Sequence, residues 1–179
     1  MEPIDIEQEL IDLAAQEEVL AFFDFTLALS ATGGEVEGLC KVSRPHERRS
    51  RSSYVSLLFV VDALDEKTRR AVEAHLSAVD WGGPAKSIPG VAGFLPVPHR
   101  DTAAGLLLKE VDVYLDGTQP ATADYVRTVL QPAVARAAHL RAGEVTAWEE
   151  NAPRPAPRSA APAPENESLI GRLRRLFGA

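Results

Sequence analysis

The amino-acid sequence predicts an α+β protein with an antiparallel sheet of about five strands. Residues 23–30 and 110–116 alternate apolar and polar with a period of two, while 4–20, 65–79 and 123–141 carry apolar residues at helical spacing. The resulting order, α-β-β-β-α-β-β-α, groups strands in runs, as in α+β folds, not in strict βαβ alternation.

The first helix is expected over Ile4 to Leu20, with Ile6, Leu10, Leu13 and Ala14 on one side and acids on the other. Phe23, Phe25, Leu27 and Leu29 then alternate with Asp24, Thr26, Ala28 and Ser30, a strand with one buried face, and Gly33-Gly34 turns the chain into a second strand over 35–43. Val55, Leu57, Leu58, Phe59, Val60 and Val61 form a run apolar on both faces, which marks a central strand. From Asp65 the period lengthens. Ala71, Val72, Leu76 and Val79 line one side of a helix that Asp80-Trp81-Gly82-Gly83-Pro84 stops. The run 91–97 reads as an irregular or edge strand, because Pro96 removes a ladder donor. Val111, Val113 and Leu115 oppose Glu110, Asp112, Tyr114 and Asp116 on the next strand, and 118–122 leads into a helix reaching Arg141, bent at Pro132.

The 179 residues suit one domain with an appendage. At 45% hydrophobic and 25% charged, the composition excludes wholesale disorder, collagen and coiled coil. No apolar run reaches membrane-spanning length and the first residues are acidic, so a cytoplasmic chain is expected. A single cysteine, Cys40, excludes an internal disulfide or a Cys-rich zinc site. Past Glu150, five prolines between 153 and 164 define a semi-rigid linker. The expected organisation is an α+β binding domain over 1–150, a Pro/Ala-rich linker over 151–167 and a basic amphipathic helix over 168–179. Residues 153–179 hold five Arg against Glu165 and Glu167, which leaves 24 acids against 14 bases in the body. Nucleic acid is a poor partner for such a body.

Gly82-Gly83-Pro84-Ala85-Lys86-Ser87 resembles a phosphate loop, but Ala85 stands where a glycine is required and the loop ends a helix instead of opening one. His46, His75, His99 and His139 are scattered, with no paired ligand spacing, so no metal or cofactor is expected. Cys40 reads as a small hydrophobe. Glu110, Asp112 and Asp116 share a strand face and could hold a cation or divide acid and base roles, though a wet outer face, which requires only that polar residues alternate with apolar ones, is the favoured reading. Arg44, Arg48, Arg49 and Arg51, with His46, crowd one loop and form a candidate anion contact. Arg44 and Arg48 have the spacing of PilZ domains, but Tyr54-Val55-Ser56-Leu57-Leu58 lacks that family's second signature.

The terminal segment carries the most specific pattern. Leu169, Ile170, Leu173, Leu176 and Phe177 form one helical face, and Arg172, Arg174 and Arg175 occupy the rest. It resembles the C-terminal membrane-targeting helices of division ATPases of the MinD type, which implies contact with anionic lipid at the inner membrane. Docking in a protein groove, its own body included, is the other outlet.

Through the strand-to-helix step Tyr54 to Val79 and the strand Leu107 to Asp116 followed by Thr122 to Leu140, the body resembles the small bacterial fold of the YbjN family and of class I type III secretion chaperones. That resemblance implies an acidic, enzymatically inactive homodimer that binds a protein partner or client as chaperone or adaptor, without a cofactor. The client-facing residues expected under it are Phe22, Phe94, Leu106 and Leu108. The competing expectation is a peripheral membrane protein recruited by its terminal helix.

Overall fold

The computed structural model describes residues 17–30, 32–45, 54–62, 64–83, 87–97, 100–101 and 107–147. In chain order the elements are β1 (Glu17–Leu29), β2 (Gly34–Pro45), β3 (Tyr54–Val61), α1 (Glu66–Ala78), β4 (Val91–Pro96), β5 (Arg100–Asp101) and β6 (Leu107–Leu115), then α2 (Ala123–Tyr125), a π-helical turn (Val126–Leu130), α3 (Gln131–Ala137) and β7 (Leu140–Ala147). The α+β class holds. The strands form one antiparallel sheet in the order β4-β6-β3-β2-β1-β7, with the short β5 extending the β4 edge along β6.

Alternation along each strand sorts the sheet into two faces. Phe23, Phe25 and Leu27 of β1, Cys40 and Val42 of β2, Val55, Leu57 and Phe59 of β3, and Val111 and Val113 of β6 point to the first face. There they meet Val72 and Leu76 of α1 and Tyr125, Val126, Leu130 and Val134 of the second helical run in one continuous core. Each such large side chain contributes about 1.5–3 kcal/mol when removed from water. Phe59 lies at the centre, edge-on to Phe25 with ring centroids 5.6 Å apart and 5.8 Å from Trp81. β3 is buried on both faces, as its unbroken apolar run predicts.

Helix α1 starts at Asp65, whose carboxylate accepts from the Thr68 N–H (3.0 Å) and hydroxyl (2.7 Å). At its end the indole N–H of buried Trp81 donates to Leu76 O (3.2 Å), satisfying a carbonyl that has no partner within the helix. In the second helical run Pro132 has no N–H and its ring crowds the preceding turn. The chain answers with the wider π turn, in which the Gln131 N–H reaches back to Val126 O.

Four expectations are corrected. Residues 17–20 belong to β1 and not to a helix; the rest of the expected first helix lies outside the described residues. Cross-strand pairing out to Pro45 recruits them, with a bulge at Leu20 that keeps both Leu20 and Ala21 in the core. The last helix stops at Ala137 because His139 takes a left-handed backbone (φ 51°), and Leu140 opens a strand the spacing did not reveal. The sheet therefore has seven strands, counting β5, instead of about five. Among the described residues no helix is long and apolar enough to cross a membrane.

Candidate functional site

β4 forms one end of the sheet among the described strands. The Val97 N–H donates to Glu110 O (2.9 Å), and this fixes the phase of the edge. With Leu95 opposite Asp112 and Gly93 opposite Tyr114, those residues turn their peptide groups toward β6, whereas Phe94 and Pro96 turn theirs outward. Pro96 thus removes no ladder bond; the N–H it lacks would have pointed away from the sheet. The outward row keeps the Phe94 N–H and C=O and the Pro96 C=O. Beside it Leu95 is 52% exposed, the one large hydrophobic side chain so exposed among the described residues. Half-buried Phe94, on the opposite face, packs on Trp81 with centroids 6.2 Å apart, which ties the edge to the core.

A groove of about 670 Å³ runs between the ends of α1 and α3, where His75, Asp80, Arg136 and His139 meet among Val79, Ile88, Ala133 and Ala137. Arg136 stands in the last turn of α3, where the helix C-terminus concentrates negative partial charge, an arrangement that stabilises that helix. His75 Nε2 lies 2.7 Å from Ala138 O and, as the donor in that bond, joins the two helix ends. On the neighbouring loop the Gly82 and Gly83 N–H groups donate to Asp80 Oδ1 at 3.1 and 3.0 Å. The phosphate-loop reading fails for this reason: the chain's own carboxylate already occupies the glycine amides.

The acidic strand face divides. Ser56 Oγ donates to Asp112 Oδ1 (2.7 Å), and Glu110 Oε1 lies 3.4 Å from that serine hydroxyl. Asp116 stands apart, exposed in the turn after β6. There the Thr118 hydroxyl (2.6 Å) and N–H (2.8 Å) donate to its carboxylate and hold it below the ordinary carboxylate range. The three carboxylates therefore do not form one set. No three His, Cys, Asp or Glu side chains among the described residues are placed to hold a metal ion. Burial on the core face pushes the Cys40 thiol well above its usual range, away from the thiolate that nucleophilic chemistry requires.

Of the residues expected to face an anion, Arg44 lies on β2 and not in a loop. Cross-strand pairing places it opposite Glu18, with which it forms an ion pair (3.1 Å), and its second nitrogen donates to Ala121 O. Arg48, Arg49 and Arg51 lie outside the described residues. Of those expected to face a client, Phe94 stands at the β4 edge, while Phe22 is 5% exposed and so is covered within the chain. Leu106 and the Leu108 side chain fall outside the described residues, as do the linker and the segment 168–179. The apolar run before Pro96 was the available signal for Leu95, which sequence reasoning missed. Neither a protein-family model, nor a curated protein, nor a solved structure matches this chain.

Proposed function

We propose that this chain is a non-enzymatic protein-binding module of the chaperone or adaptor kind, which takes an extended segment of a partner along β4. The observation that carries the reading is exposed Leu95 beside the outward Phe94 peptide group, on an edge anchored through the contact between Phe94 and Trp81. Backbone bonds give such a mode its affinity, and side-chain positions along the edge give it register. Pairing of two copies through the same edge is its homodimeric form. Pro96 and the shortness of β4 limit the open row, which restrains indiscriminate sheet growth.

The test compares wild-type protein with Leu95→Lys, both shown to be folded by circular dichroism, for self-association in sedimentation velocity and for a partner retained on purification from source cells. Loss of both by Leu95→Lys is the expected result; full retention of either partner or dimer refutes the edge as its site. The cationic, amphipathic pattern of Leu169 to Phe177 favours a second reading, recruitment to anionic lipid. Sedimentation with phosphatidylserine vesicles, lost on deletion of 168–179, is its signature.

A further inference from the structure

We propose that the groove between the ends of α1 and α3 binds a small organic monoanion, a carboxylate carried on an apolar body. The inference goes beyond the edge reading above and does not rest on it. At about 670 Å³ the groove has the volume of a small-molecule site. Its make-up is that of one too, with apolar walls of Val79, Ile88, Ala133 and Ala137 and few charged groups. The contact between His75 Nε2 and Ala138 O (2.7 Å) ties the two helix ends together, so the walls are held in place without a ligand.

Arg136 differs from the other arginines. Among the described residues Arg44 pairs with Glu18, Arg69 and Arg70 with Glu66, Arg127 with Asp124 and Arg141 with Glu35, whereas the Arg136 guanidinium has neither a carboxylate nor a hydrogen-bond partner. A guanidinium offers N–H donors in a planar fork and no acceptor, and a carboxylate matches that fork with two parallel bonds. Asp80, the single carboxylate among the described lining residues, is engaged elsewhere, accepting from the Gly82 and Gly83 N–H groups. The His139 imidazole lines the same groove and has no partner among the described residues either. It stands there at a cost, since its left-handed backbone (φ 51°) is one that glycine adopts without steric penalty. Strain of this kind, spent on keeping a ring in the wall of a groove, points to a use for the ring. The Asp80 charge and the carbonyls at the two helix ends oppose a dianion more than a monoanion, which favours a carboxylate over a phosphate. Burial of the apolar body against the alanine walls supplies the remaining affinity.

The test is titration of the isotope-labelled full-length chain with phenylbutyrate, followed through backbone amide shifts. Saturable shifts at Ala78, Ala133 and Ala137 are expected, with a Kd of about 1 mM for a ligand of about twelve non-hydrogen atoms. Arg136→Gln and His139→Gly should each weaken binding about tenfold with circular dichroism unchanged, the latter while melting no lower than wild type. Phenylbutanol, which lacks the charge, and inorganic phosphate, which lacks the apolar body, should also bind about tenfold more weakly. Absence of saturable shifts at the groove, undiminished affinity in either variant, or equal binding of phenylbutanol or phosphate would overturn the inference.

Discussion

Replacing Gly38 by alanine tests how tightly the two long strands lock together. Gly38 faces Phe25 across the pair β1–β2, and the phenyl ring lies over the glycine. A Cβ built there stands 2.6 and 2.8 Å from Phe25 Cε1 and Cε2 and closer still to Cζ. The ring would have to retreat roughly 1.5 Å to regain ordinary contact. It has little freedom to do so, because Phe25 is fully buried and packs edge-on to Phe59. Two effects oppose each other. Overpacking a close-packed core costs about 1–3 kcal/mol, while alanine in a strand interior gains about 0.5–1 kcal/mol over glycine. The clash prevails, for a net loss of about 1.5 kcal/mol, or roughly 3–6 °C in melting temperature for a chain of this size. Urea unfolding followed by tryptophan fluorescence measures it, with Trp81 beside Phe59 as reporter. Combining Gly38→Ala with Phe25→Leu should recover about 1 kcal/mol relative to the sum of the two single changes. A Gly38→Ala protein as stable as wild type or more so, or strict additivity in the double variant, refutes the packing argument.

Further outcomes follow from local geometry. His139→Gly should stabilise the protein by about 1 kcal/mol by relieving the left-handed strain at the end of α3, and His139→Val should destabilise it; thermal melts in the opposite order contradict this. Tyr125 is buried and its phenol is pushed up to about 12, first by desolvation and then by the Asp116 charge. Absorbance titration at the phenolate band should show one late step that Tyr125→Phe removes. Because the folded value lies above the unfolded one, stability should be intact below pH about 10 and decline between about 10 and 12. The Asp65 carboxylate is held below its ordinary range by the Thr68 hydroxyl first and by the Thr68 N–H next. Its contribution is therefore present above the ordinary carboxylate range and lost as pH falls below it. Asp65→Asn should flatten the acid limb of melting temperature against pH, and an unchanged limb excludes the cap as its cause.

How far each element could be read in advance depended on whether its cause was local. Helix α1 was read nearly to its ends because its cap, Asp65 with Thr68, and its stop at Trp81, Gly82 and Gly83 lie within its own neighbourhood. β3 was read because a strand buried on both faces requires an unbroken apolar run. β7 escaped because Leu140 also continues the helical stripe of Tyr125, Val129, Ala133 and Ala137. The conformation of His139 breaks that stripe, and glycine, the residue that usually signals such a break, is absent there. Val19 to Phe23 fits either a helix end or a strand, and only the partner strand, reaching to Pro45, separates the two. Of the surfaces, Phe94 was identified as candidate contact but its exposed neighbour Leu95 was not, since the exposure of a residue in an apolar run depends on which strand ends the sheet.

Alternation, capping residues, proline positions and charge balance are encoded over a few neighbouring positions, and they sufficed for an acidic α+β chain with a cationic terminal segment. The order of strands, the pairing of Arg44 with Glu18, the convergence of Glu110 and Asp112 on Ser56, the joining of two helix ends by His75 and the place of β4 at one end of the described strands all arose from contacts between residues distant along the chain. Such contacts depend on which surfaces exclude water together, and a side chain's identity carries no record of its distant neighbour.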